Sequence, residues 1–277
     1  MNKNDALREK FINPPTRFRS TPFWSWNDKL LPDEIERQVR EMKKEGMGGF
    51  FMHSRDGLET EYMSEEWMDC IKTAVKTAGE EGLYAWLYDE DRWPSGAAGG
   101  IVPRQGDKFK AKALTIELAD SLDRLDDEIV ALFKIKLNEG NISECERLDF
   151  NDICVIKNIG KFIIFRKEVS KKSEWFNDDA YSDNLNQDAV DAFIASTYEK
   201  YKDEIGEEFG ETIPGIFTDE PNVCDMYSKY TKGRGFIPWT DGFEEYFMQK
   251  RGSDIIELLP YIFFLALLQR HSTYSFC

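Results

Sequence analysis

The sequence predicts an α/β fold of the (β/α)8 TIM-barrel type, with only the first half of the barrel present. Three observations predict it. Short apolar runs alternate with amphipathic helical patterns, and parallel strands need such crossover helices. Polar residues follow each apolar run, at the end of a parallel strand where barrels bind their ligands. The length of 277 residues also suits a barrel, since barrels of roughly 250 residues form single domains.

Residues 1–107 contain the first three strand and helix units. The run "STPFWSWN" predicts a buried strand, and the next segment predicts a helix that begins near Pro32 and ends at Gly46. The run "GGFFMHSRDGL" predicts the second strand, and its helix lies between Ser64 and Gly82. The run "YAWLYDEDRWPSG" begins the third unit.

The sequence pattern changes from helical to β-type over residues 108–174, which we predict to be an antiparallel β insertion after the third strand. Its short apolar runs "AKALTIEL", "EIVALFKIKL", "DICVIKN" and "KFIIFRKEV" are separated by turn-forming residues. Residues 175–277 resume the helical rhythm with "NQDAVDAFIASTYEKYKDEIGEEFG" and contain a fourth strand in "IPGIFTDEPN". A pair of helices from about Asp241 to Gln269 closes the chain.

Four units are half of what a closed barrel needs. A half barrel leaves two unpaired sheet edges and an open apolar interior. We therefore expect either a truncated or frame-altered fragment, or self-association of copies through the open edges. A complete, smaller α/β protein is the alternative.

Composition excludes several partners. A net charge of −16 and a pI near 4.7 disfavour nucleic acid, whose binding needs a basic face. The five cysteines are scattered and show no zinc spacing. The start "MNKNDALREKF" lacks the apolar core of a secretory signal, so we expect a cytoplasmic protein. The run "IIELLPYIFFLALL" is too short to span a bilayer, and we predict a buried helix and no membrane partner.

Polar and aromatic side chains follow each of the four predicted strands, and they predict a carbohydrate site. Indole rings stack on sugar rings, while carboxylates, amides and guanidinium groups hydrogen-bond to sugar hydroxyls. The candidates, in strand order, are Trp24, Trp26 and Asn27; His53 and Arg55; Asp89, Glu90, Asp91, Arg92 and Trp93; Asp219 and Glu220. For each tryptophan taken alone, a place in the core is the alternative.

Acids in these positions predict glycoside hydrolysis, which needs two carboxyl groups beside the scissile bond. Glu220 is the predicted acid or base, because a glutamate at a strand end before a proline is partly desolvated and its pKa rises. Asp89 and Glu90 are candidates for the second catalytic carboxylate, and Asp91 lines the same cleft. Asp219 is predicted to orient Glu220 or to bind a sugar hydroxyl, since adjacent side chains of a strand face opposite sides.

No cofactor motif is present in the sequence. The dinucleotide fingerprint, the phosphate loop, the nucleophile elbow and the zinc-protease motif are all missing. The run "SGAAGG" lacks the lysine of a phosphate loop and is interpreted as a flexible active-site loop. Clustered acids also suit calcium, and a calcium ion in the cleft is an alternative for which the sequence assigns no ligands.

Whole segments of the chain resemble a known family. "PFWSWND", "GMGGFFMHSRDGL", "LYDEDRWPSGAAGG", "IPGIFTDEP" and "PWTDGFEEYFMQKRGSDIIELLP", from about Arg17 to Tyr261, are similar to the N-terminal catalytic part of bacterial glycoside hydrolases of family 106, the α-L-rhamnosidase group. The resemblance implies a (β/α)8 barrel that cleaves terminal rhamnose or related sugars with inversion, with glutamates as acid and base and calcium aiding substrate binding. It matches Glu220 with the family's strand-end acid, whereas the family's later barrel strands are missing here.

Two other functions remain as alternatives. The chain is a non-catalytic carbohydrate-binding protein if the acids only hold hydroxyls, or an inactive fragment of a larger glycosidase if it is incomplete. It is a metal-dependent hydrolase of an ester or amide if the acids hold a metal ion.

Overall fold

The computed structural model describes residues 3–122, 127–139, 141–149, 159–223 and 235–263. Within these ranges the helices are α1 (Lys3–Ile12), α2 (Pro32–Lys44), α3 (Glu65–Glu81), α4 (Gln187–Ile194), α5 (Lys200–Ile205), α6 (Phe243–Arg251) and α7 (residues 255–263). The strands are β1 (Phe23–Trp26), β2 (Gly49–Ser54), β3 (Tyr84–Tyr88), β4 (Lys112–Ser121), β5 (Ile129–Asn138), β6 (Asn141–Arg147), β7 (Ile159–Val169), β8 (Ile216–Phe217) and β9 (Phe236–Trp239).

Four strands form a parallel sheet in the order β1-β2-β3-β8. Phe23 lies opposite Phe51, Phe51 opposite Trp86, and Tyr88 opposite Phe217. Helix α2 connects the first two strands and α3 connects β2 to β3, as parallel pairing requires. Helix α3 is capped at both ends, by the Ser64 hydroxyl at its start and by a left-handed Gly82 at its end.

The two faces of the parallel sheet differ. One face packs Trp26, Phe50 and Leu87 against α2, α3 and α4 in the largest buried core. The other face carries a row of contacting rings from neighbouring strands, namely Phe23, Phe51, His53, Trp86, Tyr88 and Phe217. Because side chains alternate along a strand, each strand supplies both layers. Phe23 is 56% exposed, so this aromatic face is partly open.

The second sheet is antiparallel, in the order β6-β5-β7-β4-β9. Its buried face packs against α7 through Ile255, Ile256, Leu259 and Phe263. Strand β9, which pairs with β4, was not expected from the sequence, because its Pro238 is a residue that central strands exclude. As an edge partner it tolerates the proline.

The mixed α/β class, the parallel sheet and the antiparallel sheet after the third strand agree with the sequence prediction. A closed TIM barrel is not shown, since the parallel sheet of the described residues has four strands. The strand predicted for "DICVIKN" and the end of the last predicted helix lie outside the described residues. None of the described helices has the length and apolar character needed to cross a membrane.

A buried ion pair fastens the antiparallel sheet to the segment before α4. The Lys112 ammonium lies 3.2 Å from a carboxylate oxygen of Asp183, and both side chains are almost fully buried. The Thr240 hydroxyl donates to the same Asp183 oxygen at 2.7 Å. Burial raises the pKa of Asp183, while the bonds from Thr240 and Lys112 oppose the rise. The pair therefore joins β4, the loop after β9 and the start of the α4 region.

We expect Asp183→Asn to lower the free energy of unfolding by about 1–3 kcal/mol, because it removes the buried counter-ion of Lys112 and leaves that ammonium with Asp241, 3.5 Å away and half exposed, as its carboxylate partner. Asp107→Asn is the matched control. Asp107 pairs with Lys110 on the surface, where its side chain is 80% exposed, and exposed pairs contribute little. Chemical denaturation measures both variants, and equally small losses would contradict the role given to the buried pair.

Candidate functional site

Glu90 lies at the centre of the loop that follows β3. Its Oε2 accepts the backbone N–H groups of Gly96, Ala97 and Ala98 at 3.0, 2.8 and 2.8 Å. Its Oε1 accepts those of Gly99 at 2.5 Å and Asp91 at 2.9 Å. Successive backbone amides that converge on one anion form a nest. Here the acceptor is the chain's own carboxyl group, and the side chain is 1% exposed. Burial raises the pKa of Glu90 to about 8, while the bonds from the backbone amides of Gly99, Asp91 and Ala98 oppose the rise.

The glycines of this loop are needed for its shape. Gly99 has a φ of +61°, and a Cβ on Gly96 would lie 2.5 Å from the Asn184 side chain. Only a residue without a side chain fits both requirements. We interpreted "SGAAGG" as a flexible loop. The structure instead shows it buried from Ser95 to Ala98 and closed around Glu90.

Asp89 is held by three hydroxyl groups. Ser95 donates to its Oδ1 at 2.6 Å, and Tyr198 and Thr218 donate to its Oδ2, each at 2.6 Å. Burial raises the pKa of Asp89, and these three bonds lower it. The Asp89 carboxylate thus connects the end of β3 to the end of β8 and to the π-helical segment Ala195–Glu199, which continues α4.

Asp91 completes the run of enclosed acids. It accepts hydrogen bonds from the Ser54 hydroxyl and the Asn177 amide. Burial raises its pKa, and these two donors lower it. Arg92 lies beside it and pairs with Asp56 at 3.2 Å. All three acids after β3 are therefore engaged by protein donors, which is a different arrangement from an acid that faces a cleft.

Glu220 occupies a short turn that is anchored on both sides. On one side, the Ser95 amide donates to the Asp219 carbonyl at 2.8 Å and the Asp219 amide donates to the Ser95 hydroxyl at 2.9 Å. On the other side, the Asn222 amide donates to the Tyr181 hydroxyl at 3.0 Å. Glu220 itself has a φ of +46° and is exposed.

This geometry alters two expectations about Glu220. Glu220 is exposed, so the described residues do not desolvate it as the neighbouring proline predicts. The left-handed backbone lies beyond β8, so the alternation of strand side chains does not govern Asp219 and Glu220. A glutamate in this conformation is uncommon and costs energy, and such residues concentrate at functional sites.

Asp219 lies at the same end of the sheet and is only partly exposed. Partial burial raises its pKa, while the charge of Arg55 opposes the rise. The Tyr88 hydroxyl is buried close to these charges and has no hydrogen-bond partner among the described residues. The ends of β2, β3 and β8 therefore meet, as predicted for parallel strands.

His53 is enclosed by aromatic rings. It stacks on Tyr88 with ring centroids 3.9 Å apart and meets the edge of Phe23. Burial, followed by the charge of Arg55, lowers the pKa of His53 to about 4. At 3% exposure it is neutral at physiological pH and offers little surface to a ligand.

The tryptophans and Asn27 lie in different environments. Trp26 is 1% exposed and packs on Trp67, and the Trp24 indole donates to Gln38 of α2 at 2.9 Å. Both rings face the helices, so a sugar cannot reach Trp26 without opening the core. Asn27 is exposed. Trp93 is partly exposed and meets the edge of Trp175.

An open cavity of about 540 Å³ lies beside the Glu220 turn. Its lining comes from the loop after β3, from α4 and its continuation, and from the segment after β8: Ser95, Gly96, Asn184, Val190, Phe193, Ile194, Tyr198, Thr218, Pro221, Asn222 and Val223. Volumes of this size are typical of small-molecule pockets. The cavity and Glu220 therefore share one wall.

Sequence reasoning missed the hydroxyl groups that assemble the site, which belong to Ser95, Tyr181, Tyr198 and Thr218. Thr218 stood next to a predicted acid, and that adjacency was the one signal available. Tyr181 and Tyr198 lie in segments whose patterns indicated only a loop and a helix. The Tyr181 hydroxyl donates to the Ser95 carbonyl and the Tyr198 hydroxyl to Asp89, 86 and 109 residues away in sequence, and no local pattern reports such contacts.

No cluster of three or more possible metal ligands occurs within the ranges that the structure describes. No protein-family model matches the chain, and no curated protein matches it. Among solved structures, the chain is similar to a rhamnosidase from Novosphingobium sp. PP1Y, with 19% identity and a TM-score of 0.34. The likeness covers 47% of this chain and 15% of that chain, and it is too distant to carry an argument.

We expect Glu90→Gln to open the loop of residues 95–99, because the amide group of glutamine places N–H donors against backbone donors. Each hydrogen bond to the carboxyl group is worth about 0.5–1.5 kcal/mol in its neutral form and about 1.5–3 kcal/mol in its charged form. Amide hydrogen exchange at Gly96–Gly99 should accelerate by about a hundredfold or more. Glu211→Gln, at an exposed glutamate, is the control. Unchanged protection in Glu90→Gln would contradict the nest.

We expect His53 to make the chain sensitive to mild acid. Its pKa is near 4 in the folded chain and about 6.5 in an unfolded one. Below pH 6.5 the unfolded state takes up a proton that the folded state refuses, so stability falls as the pH decreases toward 4. His53→Phe, which retains a ring against Tyr88, should lose less stability over that window. Denaturation curves of both proteins that stay parallel from pH 7 to 4 would exclude this.

Proposed function

We propose that the chain carries part of the catalytic site of a glycoside hydrolase, with Glu220 as its acid or base. The observation that supports this most is the Glu220 turn itself. An exposed carboxylate stands at the carboxyl end of a parallel strand, in a strained backbone conformation, between two buried hydrogen-bonded anchors. A catalytic acid must be held in position by such a rigid backbone segment.

Asp219 is our proposal for the accompanying carboxylate. It follows the same strand as Glu220 and is partly exposed, and its raised pKa and the nearby Arg55 suit a group that orients Glu220 or a sugar hydroxyl. Asp89 and Glu90, the other candidates of the sequence, are bound by protein donors. We propose that they position the site rather than contact the substrate.

We also propose that the parallel sheet is part of a (β/α)8 barrel and that the substrate is an α-L-rhamnoside or a related terminal sugar. Helices on one face and a row of rings on the other are what the wall of such a barrel requires. The sugar follows from the resemblance to the α-L-rhamnosidase group. Calcium in the cleft and self-association through the sheet edges remain further parts of the proposal.

Carbohydrate binding without hydrolysis is a second candidate, favoured by one observation. Three of the five acids at the ends of β3 and β8 are buried and bound by protein donors, which leaves Asp219 and Glu220 for a substrate. Under this alternative the folded wild type binds the sugar and releases no product, and Glu220→Gln retains the affinity.

We expect the wild type to release nitrophenol from at least one member of an aryl glycoside panel that includes the α-L-rhamnoside. Glu220→Gln should lower kcat by about a hundredfold to ten-thousandfold, the range for a lost acid or base. Glu211→Gln should keep wild-type turnover, and circular dichroism checks that each variant is folded. A folded wild type that is silent on the whole panel, or full activity in Glu220→Gln, would refute the proposal.

A further inference from the structure

The cavity beside Glu220 has walls of hydrocarbon. Val190, Phe193 and Ile194 of α4 form one side, and Pro221 and Val223 form the other. Ile194 and Val223 are each 40% exposed at the rim. Two branched side chains left in contact with water above an apolar cleft favour the entry of an apolar group, since its burial removes their surface and its own from water.

The polar groups of the cavity already use their hydrogens inside the protein. The hydroxyls of Tyr198 and Thr218 donate to Asp89. The Asn184 amide donates to the Tyr181 hydroxyl at 2.9 Å and to the Asn222 carbonyl at 2.7 Å. A sugar ring in the cavity would bury hydroxyl groups against walls with few donors to offer, at a cost of about 1–3 kcal/mol for each unpaired group.

The position of the cavity relates it to the acid. Thr218 and Pro221 both line it, and the residues between them in sequence are Asp219 and Glu220. A ligand in the cavity therefore lies against the turn that presents the carboxylate. This adjacency suits a group that is covalently attached to a sugar outside the cavity.

We propose that this cavity binds the leaving group of the substrate, and that the leaving group is apolar, with an aryl ring as the fitting class. The proposal rests on the glycosidase function proposed above. In this arrangement the sugar remains outside the cavity at the exposed acids, and the aglycone is buried between α4 and the segment after β8. The cavity thereby selects glycosides of apolar alcohols or phenols over those with a second sugar.

Titration of the full chain with 2-naphthol, followed by ligand-observed nuclear magnetic resonance, tests the cavity without any need for turnover. We expect saturable binding that weakens about tenfold or more in Ile194→Glu, since a carboxylate at the rim must be desolvated. Ile12→Glu is the matched control, because Ile12 is a 72% exposed isoleucine of α1 that does not line the cavity. It should bind like the wild type.

Absent binding, or equal binding in Ile194→Glu and the wild type, overturns the cavity as an apolar subsite. A second measurement compares 2-naphthyl and methyl glycosides of the same sugar as inhibitors or substrates. In the wild type we expect a lower KM for the naphthyl glycoside than for the methyl glycoside. This difference should disappear in Ile194→Glu and persist in Ile12→Glu. Naphthol binding with no hydrolysis of any glycoside refutes the glycosidase proposal and leaves the apolar site standing, so the two failures are distinct.

Discussion

The contact between Glu90 and five backbone amides is the constraint on which the strand-end site depends. A carboxylate that is 1% exposed has lost its hydration, and that loss is offset only if donors surround it. The amides of residues 96–99 supply those donors, so the loop is fixed by a single buried carboxyl group. Ser95 precedes that segment, and its hydroxyl connects Asp89 to Asp219. The position of the Glu220 turn thus depends on the buried Glu90 carboxyl group, through Ser95.

Burial separates acids of the same chemical kind into different roles. Asp89, Glu90 and Asp91 follow β3 directly and are covered by the loop that folds back over them. Asp219 and Glu220 follow β8, a strand of two residues, and stay at the surface. The hydrogen bonds around the first group engage its carboxyl groups within the protein. The second group is the one that solvent reaches.

The elements that the sequence predicts well are those with local signals. Ser64 and Gly82 mark α3 because capping is a contact between near neighbours, and the alternation of strand and helix indicates the parallel sheet. The site is predicted less well. The sequence shows that polar residues follow each strand, but Glu90 and Glu220 have the same local signature of an acid after an apolar run. Glu90 is enclosed by the backbone amides of residues 96–99, a fold of the loop that its composition does not reveal. Glu220 is positioned through Ser95 and Tyr181, whose contacts with Asp219 and Asn222 span long stretches of chain.

The antiparallel sheet also reaches the site, through two adjacent residues. Asp183 holds Lys112 of β4 in the buried ion pair, and Asn184 holds the Asn222 carbonyl behind Glu220. The Cα atoms of consecutive residues are about 3.8 Å apart, so the two contacts lie side by side. The position of β4 is therefore connected to the anchor of the Glu220 turn through Asp183 and Asn184. The described part of the insertion between β3 and β8 thus contributes to the position of the Glu220 turn, although none of its described residues lies at the strand ends.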